Sequence, residues 1–105
     1  KKPATLNRKF DIVIIDGKKS FECAKEVGKY IEENGIIILD NSDWYKNSAE
    51  EIRKLGLIQV DFSGFGPINQ YTWITSIFFT RSFNFIPRDG IQPHNSLGSL
   101  NNVCD

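Results

Sequence analysis

The chain has 105 residues, with 13 basic and 13 acidic side chains, a formal net charge of zero and 40% hydrophobic residues. That length allows one small domain, and the balanced charge gives no general reason to expect nucleic acid or an anionic membrane as a partner. No apolar run approaches the roughly 18 to 20 residues of a membrane span, and the opening KKPATLNRK lacks the apolar centre of a secretory signal.

Cys23 falls in a helical pattern and Cys104 in a polar tail. With no CxxC and His94 as the single histidine, neither a zinc site nor a disulfide framework is indicated. A reducing, cytoplasmic setting is the default expectation. No methionine occurs, so the chain is expected to be an excerpt of a longer product.

Residues 1–9 read as a linker. Residues 10–43 then hold two apolar runs, 12–15 and 36–39, each ending in an aspartate, with a helical pattern between them. This predicts a βαβ unit whose two strands run the same way. Neither run alternates with polar residues, so both strands are expected to be covered on both faces. Asp16-Gly17 predicts a tight turn after the first strand. The helix is expected over residues 20–33, with Cys23, Ala24, Val27 and Ile31 as its apolar stripe, and Asn34-Gly35 as its stop. Ser48 followed by Glu51 predicts a capping box opening a short second helix, with Ile52 and Leu55 inward and Gly56 at its end.

Residues 57–62 predict a partly alternating strand near a sheet edge, 63–70 a loop, and 73–80 a strongly β-prone strand antiparallel to its predecessor. The predicted order is β-α-β-α-β-β. From residue 84 onward the composition predicts a disordered tail, with Phe83, Phe85 and Ile86 anchored and His94 a solvated residue.

Parallel neighbours lie about 4.8 Å apart, so Asp16 and Asp40, at matching strand ends, are expected side by side. Such a pair suits Mg2+, which takes oxygen ligands at roughly 2.0 to 2.1 Å, and the Asn41 carbonyl offers a third. The carboxyl edge of an open α/β sheet is also where ligands usually bind. Read by residue type alone, Asp16 is an ordinary turn residue and Asp40-Asn41 an ordinary loop start.

Strand-Asp-Gly-x-Lys at 16–19 and strand-Asp-Asn-x-x-Trp at 40–44 resemble motifs of the cation-dependent catechol and caffeoyl-CoA O-methyltransferases. Residues 10–80 as a whole resemble the second half of a class I S-adenosylmethionine-dependent methyltransferase, whose sheet finishes with two parallel strands and an antiparallel pair. The resemblance implies a partial Rossmann-like α/β fold over residues 10–83. It implies Asp16, Asp40 and Asn41 as metal ligands, Lys19 as a base, Trp44 as a substrate wall and Gly17 at the border of the S-adenosylmethionine pocket. Lys19 read alone is a solvated residue before a helix, and Trp44 a packing residue.

Gly17-Lys18 stands where the caffeoyl-CoA group has Ala-Asp. The family's glycine-rich cofactor loop, and the acidic residue ending its second strand, do not occur in the sequence. The expected activity is therefore methyl transfer to a small-molecule oxygen by a longer protein, with this portion inactive alone. The alternative is a non-catalytic α/β interaction module. In the family's order the first strand here would pair with one that this sequence lacks, so a homodimer through that open strand edge is also expected.

Overall fold

The computed structural model describes residues 8–86, 90 and 97–100. Strand β1 (Phe10–Ile15) leads through the turn at Gly17 into helix α1 (Ser20–Glu26), a single 3-10 turn (Val27–Lys29) and strand β2 (Ile31–Leu39). Gly17 has φ +95°, a left-handed conformation that a side chain would strain, and its carbonyl accepts the Ser20 N–H (3.2 Å) and hydroxyl (2.5 Å). Helix α2 (Lys46–Arg53) follows, then strands β3 (Ile58–Phe65) and β4 (Thr72–Phe79).

β1 and β2 pair in parallel, Ile12 opposite Ile36 through Ile15 opposite Leu39. β4 is antiparallel to both β2 and β3, so the spatial order is β1-β2-β4-β3. The last strand is thus inserted between the second and third, and β3 runs in the same direction as β1 and β2. The expected element order and mixed sheet are present.

Paired residues share a face of a sheet, so the register sorts every side chain. One face carries Ile15, Ile37, Leu39 and Phe78, which pack with Ala24, Val27, Ala49 and Ile52 of the two helices in a single core. Full burial of a side chain such as Leu39 or Phe78 stabilises by roughly 1.5 to 3 kcal/mol. The opposite face carries Ile12 and Ile14 of β1, Ile36 and Ile38 of β2, Ile77 and Phe79 of β4, and Ile58, Val60 and Phe62 of β3. Among the described residues no helix lies over it, and Ile14 is 66% exposed.

This corrects the expectation that the first two strands are covered on both faces. Both helices lie on one side, because both contribute to the same core. The first helix also ends earlier than its pattern predicts, at Glu26, and residues 31–35 belong to β2. Asn34-Gly35 is consequently no helix stop. Between the Phe10–Ile31 and Ile12–Ile36 pairs the register slips, so β2 carries a bulge. A Cβ built on Gly35 would lie 2.5 Å from Ile31 Cδ1 and 3.0 Å from the Asp11 carbonyl oxygen. A side chain there would have to displace the Ile31 side chain and press on the main chain of β1.

Four further expectations fail locally. Ser48 does not cap α2, because the turn at residues 41–44 feeds the helix directly: the Asn41 carbonyl accepts the Trp44 and Tyr45 N–H groups at 2.9 and 3.0 Å. Ser48 is buried inside the helix instead. Leu55 lies past the helix end, 44% exposed, against the small surface left by Gly28. Residues 63–65, expected in a loop, extend β3, where Phe65 pairs with Thr72. From the end of β4, Phe79, Phe83 and Phe85 pack in succession with ring centroids 4.8 and 4.7 Å apart, whereas Ile86 is exposed rather than anchored. His94, Cys104 and most of the expected tail and linker lie outside the described residues.

Candidate functional site

The carboxyl ends of β1 and β2 meet where predicted. Ile15 pairs with Leu39, and the Asp40 N–H donates to the Ile15 carbonyl at 3.2 Å, which sets the next residues, Asp16 and Asp40, on one edge. Asp16 is exposed and Asp40 half-buried. Asp40 is held firmly: its Oδ1 accepts the Thr75 hydroxyl at 2.7 Å and the Asn41 N–H at 3.0 Å.

Asn41 has φ +54°, a left-handed conformation that asparagine tolerates better than most residues. This lets the chain turn sharply out of β2 and into α2. Its main-chain oxygen is spent on Trp44 and Tyr45, so the side-chain carbonyl is the one left for a ligand. Two carboxylates and an amide oxygen form a hard donor set, suited to a cation that keeps several waters. Among the described residues, no three His, Cys, Asp or Glu side chains gather as a metal cluster. The predicted trio contains only two residues of those types.

Lys19 is exposed at the start of α1 and makes no side-chain cap. Gly17 turns the chain at the same edge. Trp44 is 57% exposed and packs with Tyr71 and Trp73, ring centroids 6.2 and 6.4 Å away; Tyr71 and Trp73 are 5.9 Å apart. A Cβ on Gly66 would run into the Trp73 ring, so that glycine makes room for the cluster. The three rings form one aromatic cluster that joins the turn after β2 to the start of β4.

Thr75, Tyr71 and Trp73 escaped the sequence reading. They lie on β4 or just before it, and nothing in the sequence said that β4 would dock against β2. The TWIT run at residues 72–75 shows the residue types, but only the inserted strand order brings them to Asp40.

A second polar cluster lies on the helix side. Ser76 Oγ is 2.6 Å from Asp61 Oδ1 and 2.7 Å from Ser42 Oγ. A hydroxyl carries one proton, so Ser76 donates to the carboxylate and accepts from Ser42. Gln59 donates to Asp61 at 2.9 Å and accepts from Arg53 Nε at 2.8 Å. The Ser76 hydroxyl, then the Gln59 amide, hold the Asp61 carboxyl below the ordinary value of 3.8, aided by the Arg53 charge and opposed by partial desolvation. These groups line a hollow of about 680 Å³ between α2 and the β3-β4 pair, with Asp43 and Lys46 at its rim. Asp43 is tied by the Ile74 N–H at 3.1 Å. The network links α2 to three other parts of the chain and reads as structural.

No helix is long and apolar enough to cross a membrane among the described residues. No protein-family model, curated protein or solved structure matches the chain.

Proposed function

We propose that the chain is the C-terminal portion of an S-adenosylmethionine-dependent methyltransferase acting on a small-molecule oxygen. The observation that carries this reading is the shared edge. Asp16, Asp40 and Asn41 follow directly from paired parallel strands, with Gly17 and Lys19 in the turn after β1 and Trp44 in the turn after β2. The mixed sheet, two parallel strands and then an antiparallel pair, agrees with the ending that the sequence resemblance implies.

In this reading Asp16, Asp40 and the Asn41 side chain hold Mg2+, which when bound orients the acceptor oxygen and lowers its pKa. The Thr75 hydroxyl keeps Asp40 aimed, as outer partners of metal ligands do. Lys19 takes the acceptor proton, and Trp44 positions the acceptor. The residues present do not by themselves make a site for S-adenosylmethionine, because Gly17 alone stands for it. Methyl transfer therefore needs the remainder of such a domain.

The test is an amide NMR titration of this chain with Mg2+ and then trace Mn2+. Shifts and paramagnetic broadening confined to Asp16, Lys19, Asp40 and Asn41 support the cation-dependent reading. Broadening elsewhere, or none, removes the metal. Calorimetric titration of S-adenosylmethionine into the protein extended by its upstream coding sequence tests the cofactor separately, and absence of binding there leaves a non-catalytic α/β module. That second reading has an observation in its favour, the bare apolar face of the sheet.

A further inference from the structure

We infer that Asn34 is a site of spontaneous covalent modification, in which its side-chain amide is lost through a cyclic imide formed with Gly35, leaving aspartate and isoaspartate within β2.

The first argument is register. Phe10 pairs with Ile31 and Ile12 with Ile36, so residues 32–35 stand opposite Asp11 alone. On the other side of β2, pairing with β4 reaches only to Ile36, opposite Phe79. Residues 32–35 thus have no register partner on either neighbouring strand, and the extra residues of a bulge lie outside the ladder. The Thr80 N–H donates to the Gly35 carbonyl at 3.2 Å, and the Ser82 hydroxyl to the Glu33 carbonyl at 2.7 Å. These ties fall on either side of Asn34, which is itself exposed.

The second argument is the residue that follows. Of the asparagines in the chain, only Asn34 precedes a glycine. Asparagine is among the thermolabile residues, and a following residue without a Cβ lets its main-chain nitrogen approach the side chain most closely. The Gly35 nitrogen attacks the Asn34 side-chain carbonyl carbon. A new N–Cγ bond replaces the Cγ–Nδ2 bond, and ammonia leaves with the proton given up by the Gly35 nitrogen. Water then opens the imide at one carbonyl or the other, giving aspartate or isoaspartate. Solvent is the only co-reactant.

The third is what the products do. Gly35 lies against the Ile31 side chain and the Asp11 main-chain oxygen, with no room for added bulk. Isoaspartate inserts one extra carbon into the main chain directly before it, and either product adds a carboxylate after Glu32 and Glu33. The modification therefore acts on the pairing of β1 with β2, whose far ends lead to Asp16 and Asp40.

This chemistry is independent of the methyltransferase reading, which the cation titration tests. The experiment is incubation of this chain in mildly alkaline buffer, folded and in urea, followed by peptide mapping with fragment-ion sequencing and separation of aspartyl from isoaspartyl forms. A segment outside the ladder opens without global unfolding, so Asn34 in the folded chain should convert within about tenfold of its rate in urea. It should also convert faster than Asn41 or Asn69. Asn34→Gln keeps an exposed amide but would need a larger ring, and should not convert. In the isoaspartyl fraction the Ile12 and Val13 amides should lose hydrogen-exchange protection, and lose more than in Asn34→Asp, which has the charge on an ordinary main chain. Conversion confined to the urea sample overturns the proposal, because the fold then shields the segment. So does faster conversion at Asn41 or Asn69, or unchanged conversion of the same peptide in Asn34→Gln.

Discussion

Asp61 shows how a single proton is tied to the fold. Its carboxylate is stabilised by the Ser76 hydroxyl and the Gln59 amide, which lowers its pKa in the folded state. A depressed carboxyl contributes stability that is present in full above the unfolded value, near 3.8, and is lost as pH falls through the lower folded value. Asp61→Asn should therefore be less stable than the parent at neutral pH, with the difference shrinking below pH 3.8. Urea midpoints measured from neutral to strongly acid pH check this, and a difference constant with pH would sink it. Asp61 is largely exposed, so screening keeps the effect small. Thr75 permits a companion test on the other cluster. Thr75→Val keeps the shape of the side chain but removes the hydroxyl from Asp40 Oδ1. Loss of an outer hydrogen bond to a ligand typically weakens metal affinity about 10- to 100-fold. A Mn2+ titration of that variant, read by broadening at Asp16 and Asp40, should show weaker binding with the fold unchanged.

At the scale of elements, β2 is where sequence and structure part company. Residues 20–33 have a helical stripe, and Ala24, Val27 and Ile31 are all buried, as that stripe requires. Burial alone does not distinguish a helix from a helix followed by a strand. Tyr30 closes the 3-10 turn on the Val27 carbonyl, and Phe10 donates to the Tyr30 carbonyl at 2.7 Å, so pairing with β1 draws residue 31 into the sheet. That is a tertiary contact, invisible to local periodicity. Local pattern makes Gly35 a helix stop for the same reason, whereas in the fold it sits against the Ile31 side chain and the Asp11 carbonyl. Gly35→Ala should cost about 1 to 3 kcal/mol through overpacking, measured by denaturant unfolding, because the Asp11 carbonyl cannot retreat without disturbing β1. A neutral substitution would mean that the bulge is soft. By contrast the two strand-Asp ends were legible, since an apolar run stopped by a carboxylate fixes the strand's last residue whatever precedes it. What stayed hidden was the aromatic and hydroxyl support from β4, because a hairpin sequence does not say on which side of its partner it will lie.

On the scale of the whole molecule, the inserted strand order decides which parts open together. β2 and β4 are each paired on both sides, whereas β1 and β3 have one partner apiece. Ile37, Leu39 and Phe78 are fully buried on the two central strands, so their amides should exchange only through global unfolding. β3 is exposed along nearly its whole length and reaches its partner's start at Phe65 opposite Thr72. That end can fray while the core stays shut. Native-state hydrogen exchange should thus give Ile37, Leu39 and Phe78 protection matching the unfolding free energy from denaturant, and clearly lower protection at Phe65 and Ser63. Equal protection along β3 and β4 would show instead that the edge is closed by another strand.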